Sequence, residues 1–269
     1  MTHLLALDFD GVIADSAPEA FVVAARTFAQ LRPASALAAA LGPVLGGAAP
    51  PRAAALGHPL YPAFLGLMPL GNRAEDYGVA LDALERGACI AEQADYDAWR
   101  DRIDRAWLRG FHRAFYRVRT ALADADPAGW NALLGPYPVL PEVLRRRAGE
   151  VLLAIATAKD RLSVGRLLRT WGMDDLFPQD RVLDKEAGVS KAAHLEALAR
   201  RFAVPFPEIT FVDDKVNHLD ATAALGVRCA LAAWGYNGAR EVRLARERGY
   251  LVCRLADVEA QLFGSSAAA

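Results

Sequence analysis

Asp8 and Asp10 stand one residue apart at the end of the apolar run Leu4-Leu5-Ala6-Leu7, and Gly11 follows them. Two carboxylates at that spacing repel each other, and a nearby cation relieves the repulsion. Oxygen donors of this kind suit a small, hard cation, of which Mg²⁺ is the common case. A carboxylate can also attack an electrophilic centre, while a second one serves as acid for a leaving group and as base for water. From this segment alone an acidic Asp-Gly turn without chemistry reads equally well. Other polar residues have to converge on the pair to decide between the two readings.

The element that must hold the pair is a short strand. Residues 4–7 carry no polar side chain, which predicts a strand buried on both faces, as in a parallel sheet covered by helices. The aspartates then fall at its carboxyl end, where open α/β sheets bind their ligands. Gly11 permits a sharp exit, because it tolerates positive φ. From about residue 136 onward strand and helix alternate. Strands are expected at 151–156, 209–212, 227–232 and 250–253, and helices at 163–171, 189–202 and 217–225. Such alternation over short connections predicts an α/β, doubly wound parallel sheet of Rossmann-like type. Its strand ends add Thr157 and the pair Asp213-Asp214 to the same edge, and Lys191, opening a helix behind Ser190, can reach it.

Nothing between residues 18 and 130 alternates as a strand does. A helix is expected from Ser16 through Phe28, and another from Asn72 to about Arg86. Tyr96, Trp99, Ile103, Trp107, Phe111, Phe115 and Val118 recur at steps of three or four. That periodicity predicts one long amphipathic helix, or two joined near Gly110, with the aromatic stripe in a core. The expected organisation is therefore an α/β domain of residues 1–16 and 136–269, interrupted by a helical domain of residues 17–135.

The hydrophobic fraction of 54% supports a sizeable core, and a net charge of -1 argues against a nucleic-acid or anionic-membrane surface. Three distant cysteines offer no metal or redox spacing, which fits a reducing, cytoplasmic setting. The chain enters a strand almost at once, leaving no room for a signal peptide, and no apolar run is long enough for a membrane span. Lysine occurs only at 159, 185, 191 and 215. Oligomeric state has no signature in the sequence.

Taken in order, Asp8-Phe9-Asp10-Gly11-Val12, Thr157, Lys191 and Asp213-Asp214 with Gly226 beyond resemble the four motifs of the haloacid dehalogenase-like hydrolase superfamily, which is made up mostly of phosphatases. The similar segments are residues 1–16 and roughly 136–235; the insertion is similar only in position and helical character. The resemblance implies that Asp8 attacks phosphorus and forms an aspartyl-phosphate. It implies that Asp10 protonates the leaving alcohol and then deprotonates water. Thr157 would bind the transferring phosphoryl group, and Lys191 would offset the negative charge around it. Mg²⁺ would be held by the Asp8 carboxylate, the Asp10 backbone carbonyl and an acid of the fourth motif. Counting back from Gly226 selects Asp214 for that role, with Asp213 as the other choice. The substrate implied is a small phosphorylated molecule, and the insertion would act as a lid.

Several positions stay open at this stage. Lys185 competes with Lys191, which is preferred because it begins a helix. Four residues after the metal ligand the family often has Asp or Asn; counted from Asp214 that position is His218, and counted from Asp213 it is Asn217. His218 is a poor direct Mg²⁺ ligand, since such sites favour oxygen. Lys159 is a candidate to help bind phosphate. His3 and His194 read as structural or exposed, and Trp234, Tyr236 and Asn237 either border the site or pack the sheet edge. Ser16, His58, Tyr61, Asn72, Arg73 and Tyr77 are the polar or aromatic candidates of the insertion. A mutase-type phosphoryl transfer would use the same core residues, and a non-catalytic phosphate sensor is the reading from another class.

Overall fold

The structure is a computed structural model that describes residues 2–71, 73–184, 186–188 and 190–264. The chain divides into two compact units, Met1–Asp15 with Gly135–Ala269, and Ser16–Leu134.

The first unit is built on a six-stranded sheet. Its strands, with a separate two-stranded ribbon, run in chain order β1 (Leu4–Leu7), β2 (Ala14–Asp15), β3 (Gly135–Pro136), β4 (Leu152–Ala156), β5 (Val182–Leu183), β6 (Ile209–Asp213), β7 (Arg228–Ala232) and β8 (Leu251–Cys253). The sheet order is β5-β4-β1-β6-β7-β8, and every pairing in it is parallel. Parallel neighbours need crossover connections, which here carry the helices Arg161–Thr170, Lys191–Phe202, Val216–Ala223 and Ala239–Glu247. The α/β, doubly wound architecture is thus present, with β1 near the middle.

All four residues of β1 are buried. Leu4 and Ala6 share a core with Ala154, Phe211, Leu195 and Leu219, while Leu5 and Leu7 point to the opposite face by strand alternation. Burial on both sides explains the unbroken apolar run, each leucine contributing about 1.5–3 kcal/mol. Register then sets the site. Leu7 lies opposite Ile155 of β4 and Val212 of β6, so Asp8, Ala156 and Asp213 come level at the carboxyl ends.

Three strands have no clear sequence signal. β5 has only two residues, and β2 pairs with β3 as an antiparallel ribbon of two residues each. Pieces this short have no alternation to read. The ribbon joins the points where the chain leaves the α/β unit after Asp15 and returns at Gly135.

The second unit is helical. Its longer helices are Ala17–Leu31, Ala74–Glu85, Gln93–Arg102 and Arg105–Ala125. Phe21, Val22, Ala25 and Phe28 are buried on the first of these, and Phe111, Phe115 and Val118 on the last. The aromatic stripe resolves into two helices, but the joint is at Ile103-Asp104 and the second helix runs straight through Gly110. Ile103 turns extended, and the Asp104 carboxylate accepts from the backbone N–H groups of Ala106 and Trp107. This N-cap decides the break, because its bonds satisfy donors that an uninterrupted helix would bond internally. No helix among the described residues is long and apolar enough to cross a membrane.

Candidate active site

The loop after β1 is held in a tight form. Phe9 is fully buried and stacks on Trp171 with ring centroids 5.8 Å apart. Its carbonyl accepts from Ile13 N at 2.9 Å and Ala14 N at 2.8 Å, which folds the chain back past Asp10. Gly11 has φ of 88°, and a Cβ there would lie 2.6 Å from Asp214 Cγ. Conformation and space therefore both demand glycine. From the end of β7, Trp234 Nε1 donates to the Val12 carbonyl at 3.0 Å and Tyr236 Oη to that of Ala14 at 3.4 Å. A Cβ at Gly235 would lie 2.3 Å from the Gly11 carbonyl oxygen, so this segment packs directly on the first loop.

Asp8, the first residue past β1, donates its N–H to Val212 O at 2.9 Å. Its Oδ1 accepts from the Phe9 N–H at 2.7 Å and lies 2.6 Å from Lys191 Nζ. Lys191 Nζ also donates to the Ala156 carbonyl at 2.7 Å and lies 3.4 Å from Asp213 Oδ2. It is placed by its helix: Ser190 Oγ caps the Lys191–Phe202 helix by accepting from Ala193 N at 3.2 Å. One buried ammonium group thus bridges the strand ends of β1, β4 and β6. Lys185, the rival lysine, lies outside the described residues.

The fourth-motif carboxylates have different surroundings. Asp213 is fully buried and accepts from Lys215 N at 2.9 Å and from His218 Nδ1 at 3.1 Å, besides facing Lys191. Burial works against its charge, but Lys191 and His218 hold its carboxyl below the ordinary value. Burial and Lys191 act to lower His218, but its contact with Asp213 raises it overall. Asp214 accepts from Tyr236 N at 2.9 Å and lies against Gly11, the residue after Asp10. Burial pushes its carboxyl up to about 7; Lys215 opposes this, while Asp213 and Asp8 add to it. Burial likewise raises Asp8 against the pull of Lys191.

Thr157 follows β4 and is buried, with its N–H donating to Leu183 O at 2.9 Å. Its Oγ1 accepts from Lys159 N at 3.1 Å. Lys159 extends to Asp10, with Nζ 3.2 and 3.3 Å from the two carboxylate oxygens. The candidate phosphate-binding lysine is therefore paired with the second aspartate of the first motif, a contact that linear spacing cannot show.

Other candidates have structural surroundings. His3 Nε2 is 3.0 Å from Thr210 Oγ1, and His194 Nε2 is 3.1 Å from the Gly188 carbonyl. In the helical unit, His58 and Tyr61 are buried and their rings pack on Phe21, while Tyr77 packs between Phe64 and Phe115. Ser16 is buried, Arg73 is the exposed N-cap residue of the Ala74–Glu85 helix, and Asn72 lies outside the described residues. Gly235 and Lys159's hold on Asp10 were not anticipated. The signal for the first was the run Trp234-Gly235-Tyr236-Asn237 directly behind a strand; for the second there was none.

The donor chemistry fits Mg²⁺. Asp8, Asp213 and His218 each offer a donor atom, all within 4.8 Å of one another. Asp214 has its carboxyl pushed up mainly by burial, and a divalent cation beside it would favour its charged form. Oxygen donors predominate, and the His218 nitrogen is engaged with Asp213.

Known proteins agree with this architecture. The chain is 32% identical over 123 residues to the tyrosine-protein kinase PtkA of Mycobacterium tuberculosis, a match covering 44% of this chain and 40% of that protein. The chain therefore spans well under half the length of these curated relatives. Among solved structures, a putative phosphoglycolate phosphatase from Lactobacillus delbrueckii subsp. bulgaricus superposes with a TM-score of 0.67 at 14% identity, covering 98% of this chain and 100% of that one. A haloacid dehalogenase-like family protein from Streptococcus pneumoniae gives 0.64 at 12% identity, covering 97% and 98%. At such identities these two structures speak for the fold. The family model for haloacid dehalogenase-like hydrolases matches residues 2–226, a span containing β1, the buried lysine and both fourth-motif acids, and the chain belongs to that family of hydrolases.

Proposed function

We propose that the protein is a Mg²⁺-dependent phosphatase acting on a small phosphate monoester through an aspartyl-phosphate. The observation that carries this reading is the convergence on one sheet edge of Asp8, Asp213 and Lys191, with Asp10 and Thr157 beside them on adjoining segments. Phosphoryl transfer needs positioning and charge stabilisation more than any other contribution, and this edge offers both.

Both contacts to Asp8 fall on Oδ1, which orients Oδ2 as the attacking oxygen. As Oδ2 bonds to phosphorus, the bond to the leaving oxygen breaks and Asp10 gives that oxygen its proton. A water then attacks the same phosphorus, Asp10 takes its proton, and the Asp8–phosphorus bond breaks. Phosphate departs and both aspartates are regenerated. Thr157 Oγ1 and Lys191 Nζ stabilise the transferring phosphoryl oxygens, and Lys159 moves from Asp10 to the phosphate as it binds.

Asp8, the Asp10 backbone carbonyl and Asp214 would hold Mg²⁺, with Asp213 orienting Lys191 and His218. The alternative ligand is Asp213; its engagement with Lys191, His218 and Lys215 N favours Asp214. When bound, the ion supplies positive charge to the phosphoryl oxygens. Ser16–Leu134 is read as the cap that excludes water and selects the leaving group.

Asp8→Asn tests the assignment. Loss of turnover of an aryl phosphate with the fold intact supports it, and full retained activity overturns it. The similarity to a tyrosine-protein kinase favours one further reading, phosphoryl transfer to an acceptor other than water. Phosphate released in step with substrate consumed excludes that reading; a phosphorylated acceptor establishes it. Turnover in Mg²⁺ that EDTA abolishes would remove the phosphate-sensor reading.

A further inference from the structure

The helical unit carries a cleft of about 560 Å³ along the first half of the Arg105–Ala125 helix. Arg105, Arg109 and Arg113 line it at successive steps of four, so they share one helix face. They span about 12 Å at the ordinary helical rise. All three are exposed, and among the described residues none forms an ion pair or a side-chain hydrogen bond. Arg100 enters from the neighbouring helix. Of the two acids in the wall, Asp101 is exposed at the rim of the row, and Glu75 is already engaged, accepting from His112 Nδ1 at 2.8 Å and lying 3.6 Å from Arg100.

This arrangement is unfavourable in the protein alone. Like charges four residues apart destabilise a helix, and cations near its N-terminus oppose the macrodipole. Other arginines of the same unit are used differently. Arg119, on the same helix, lies 2.8 Å from Glu19, and Arg32 lies 2.6 Å from Asp82. Only the cleft gathers three adjacent guanidinium groups without partners among the described residues.

We propose that this cleft is a binding site for a small linear polyanion, a chain of phosphates either inorganic or carried by a nucleoside. Guanidinium groups form bidentate hydrogen bonds with phosphate oxygens. A row of three demands negative charge extended along the helix, which a single orthophosphate cannot present. The site is distinct in composition from the sheet edge of the α/β unit and does not depend on the phosphatase reading.

The test is direct binding by calorimetry, on full-length Asp8→Asn protein in EDTA so that turnover cannot interfere. Inorganic tripolyphosphate and ATP are the probes, with orthophosphate for comparison. Saturable one-to-one binding of tripolyphosphate is expected, with orthophosphate at least tenfold weaker. Equal affinity for ATP assigns the phosphate chain alone as the recognised group; tighter ATP binding adds the nucleoside. The triple variant Arg105→Gln, Arg109→Gln, Arg113→Gln should bind roughly a hundredfold more weakly, given the strength of charge-assisted hydrogen bonds. A control triple, Arg200→Gln, Arg243→Gln, Arg246→Gln, removes the same charge elsewhere and should bind normally. Equal losses in the two triples, or no saturable binding, would overturn the proposal. Circular dichroism of each variant separates lost binding from lost fold.

Discussion

Glu19 and Asp82 of the helical unit and Asp8, Asp213 and Asp214 of the α/β unit are all buried carboxylates, and their neutralisation differs. Glu19 accepts from Arg119 Nε at 2.8 Å and Trp130 Nε1 at 3.0 Å. Asp82 accepts from Arg32 Nη1 at 2.6 Å and Trp99 Nε1 at 3.1 Å. Each of these two acids meets an arginine and an indole, with Arg32 also 2.8 Å from Glu85. At the sheet edge, Asp8 and Asp213 share one lysine, and Asp214 has its carboxyl pushed to about 7. Acids with local partners serve packing. On the proposed function, the acids crowded at the sheet edge are the ones that bind a cation and react. The difference lies in how partners are distributed, since all five are buried carboxylates.

The largest effects are expected from substituting one buried acid in each unit. On the proposed mechanism, in which Asp8 is the nucleophile, Asp8→Asn should lower turnover by ~10³-fold or more, with little change in melting temperature. Glu19→Gln should do the opposite. Breaking a buried pair costs about 3–5 kcal/mol, and the partial exposure of Arg119 reduces this to ~2 kcal/mol, or about 4–8 °C in Tm, with near-normal kcat. A Glu19 variant that loses activity without losing stability would contradict the division.

Lys159→Met sharpens the comparison within the site. It removes a partner of Asp10, and kcat/KM should fall by ~10-fold, a smaller effect than that expected at Asp8. An unchanged kcat/KM would make the contact incidental.

The smallest effect is a pH slope. Asp214 is raised from 3.8 to about 7 in the folded protein. A raised carboxyl stabilises the fold while protonated, fully so below the unfolded value, and that stability is lost as pH rises through the folded one. In EDTA, Tm should therefore decline between about pH 4 and pH 7, and Asp214→Asn should lack that part of the decline. Saturating Mg²⁺ should raise Tm near pH 7 in the parent and less in the variant, because a ligand of the folded state stabilises it by mass action. Parallel curves for the two proteins would remove Asp214 from the cation site.

Legibility in the sequence follows the range of the interactions. Residues 4–7 announce a doubly buried strand because burial on both faces requires an unbroken apolar run. The helices of the α/β unit show in the same way, through period and caps such as Ser190. The aromatic stripe of residues 96–118 shows a core face correctly, yet its periodicity runs smoothly across the joint. Ile103 fits the stripe, and only the Asp104 cap marks the break. Lys191 stands out because lysine is scarce and this one opens a helix. Lys159 on Asp10, and Gly235 against Gly11, have no local signature, since each pairs segments far apart in the chain.

The parallel α/β class, the helical insertion and the ordered set of polar residues at strand ends are written in the linear chain, because they follow from apolar periodicity and from chemistry confined to short segments. Tertiary structure decided the rest. It set which acids share Lys191, which one lies beside Gly11, where the aromatic stripe breaks, and which arginines have partners among the described residues. Those outcomes depend on strand register and crossover packing, which bring distant residues within a few ångströms of one another and leave no mark on either segment alone.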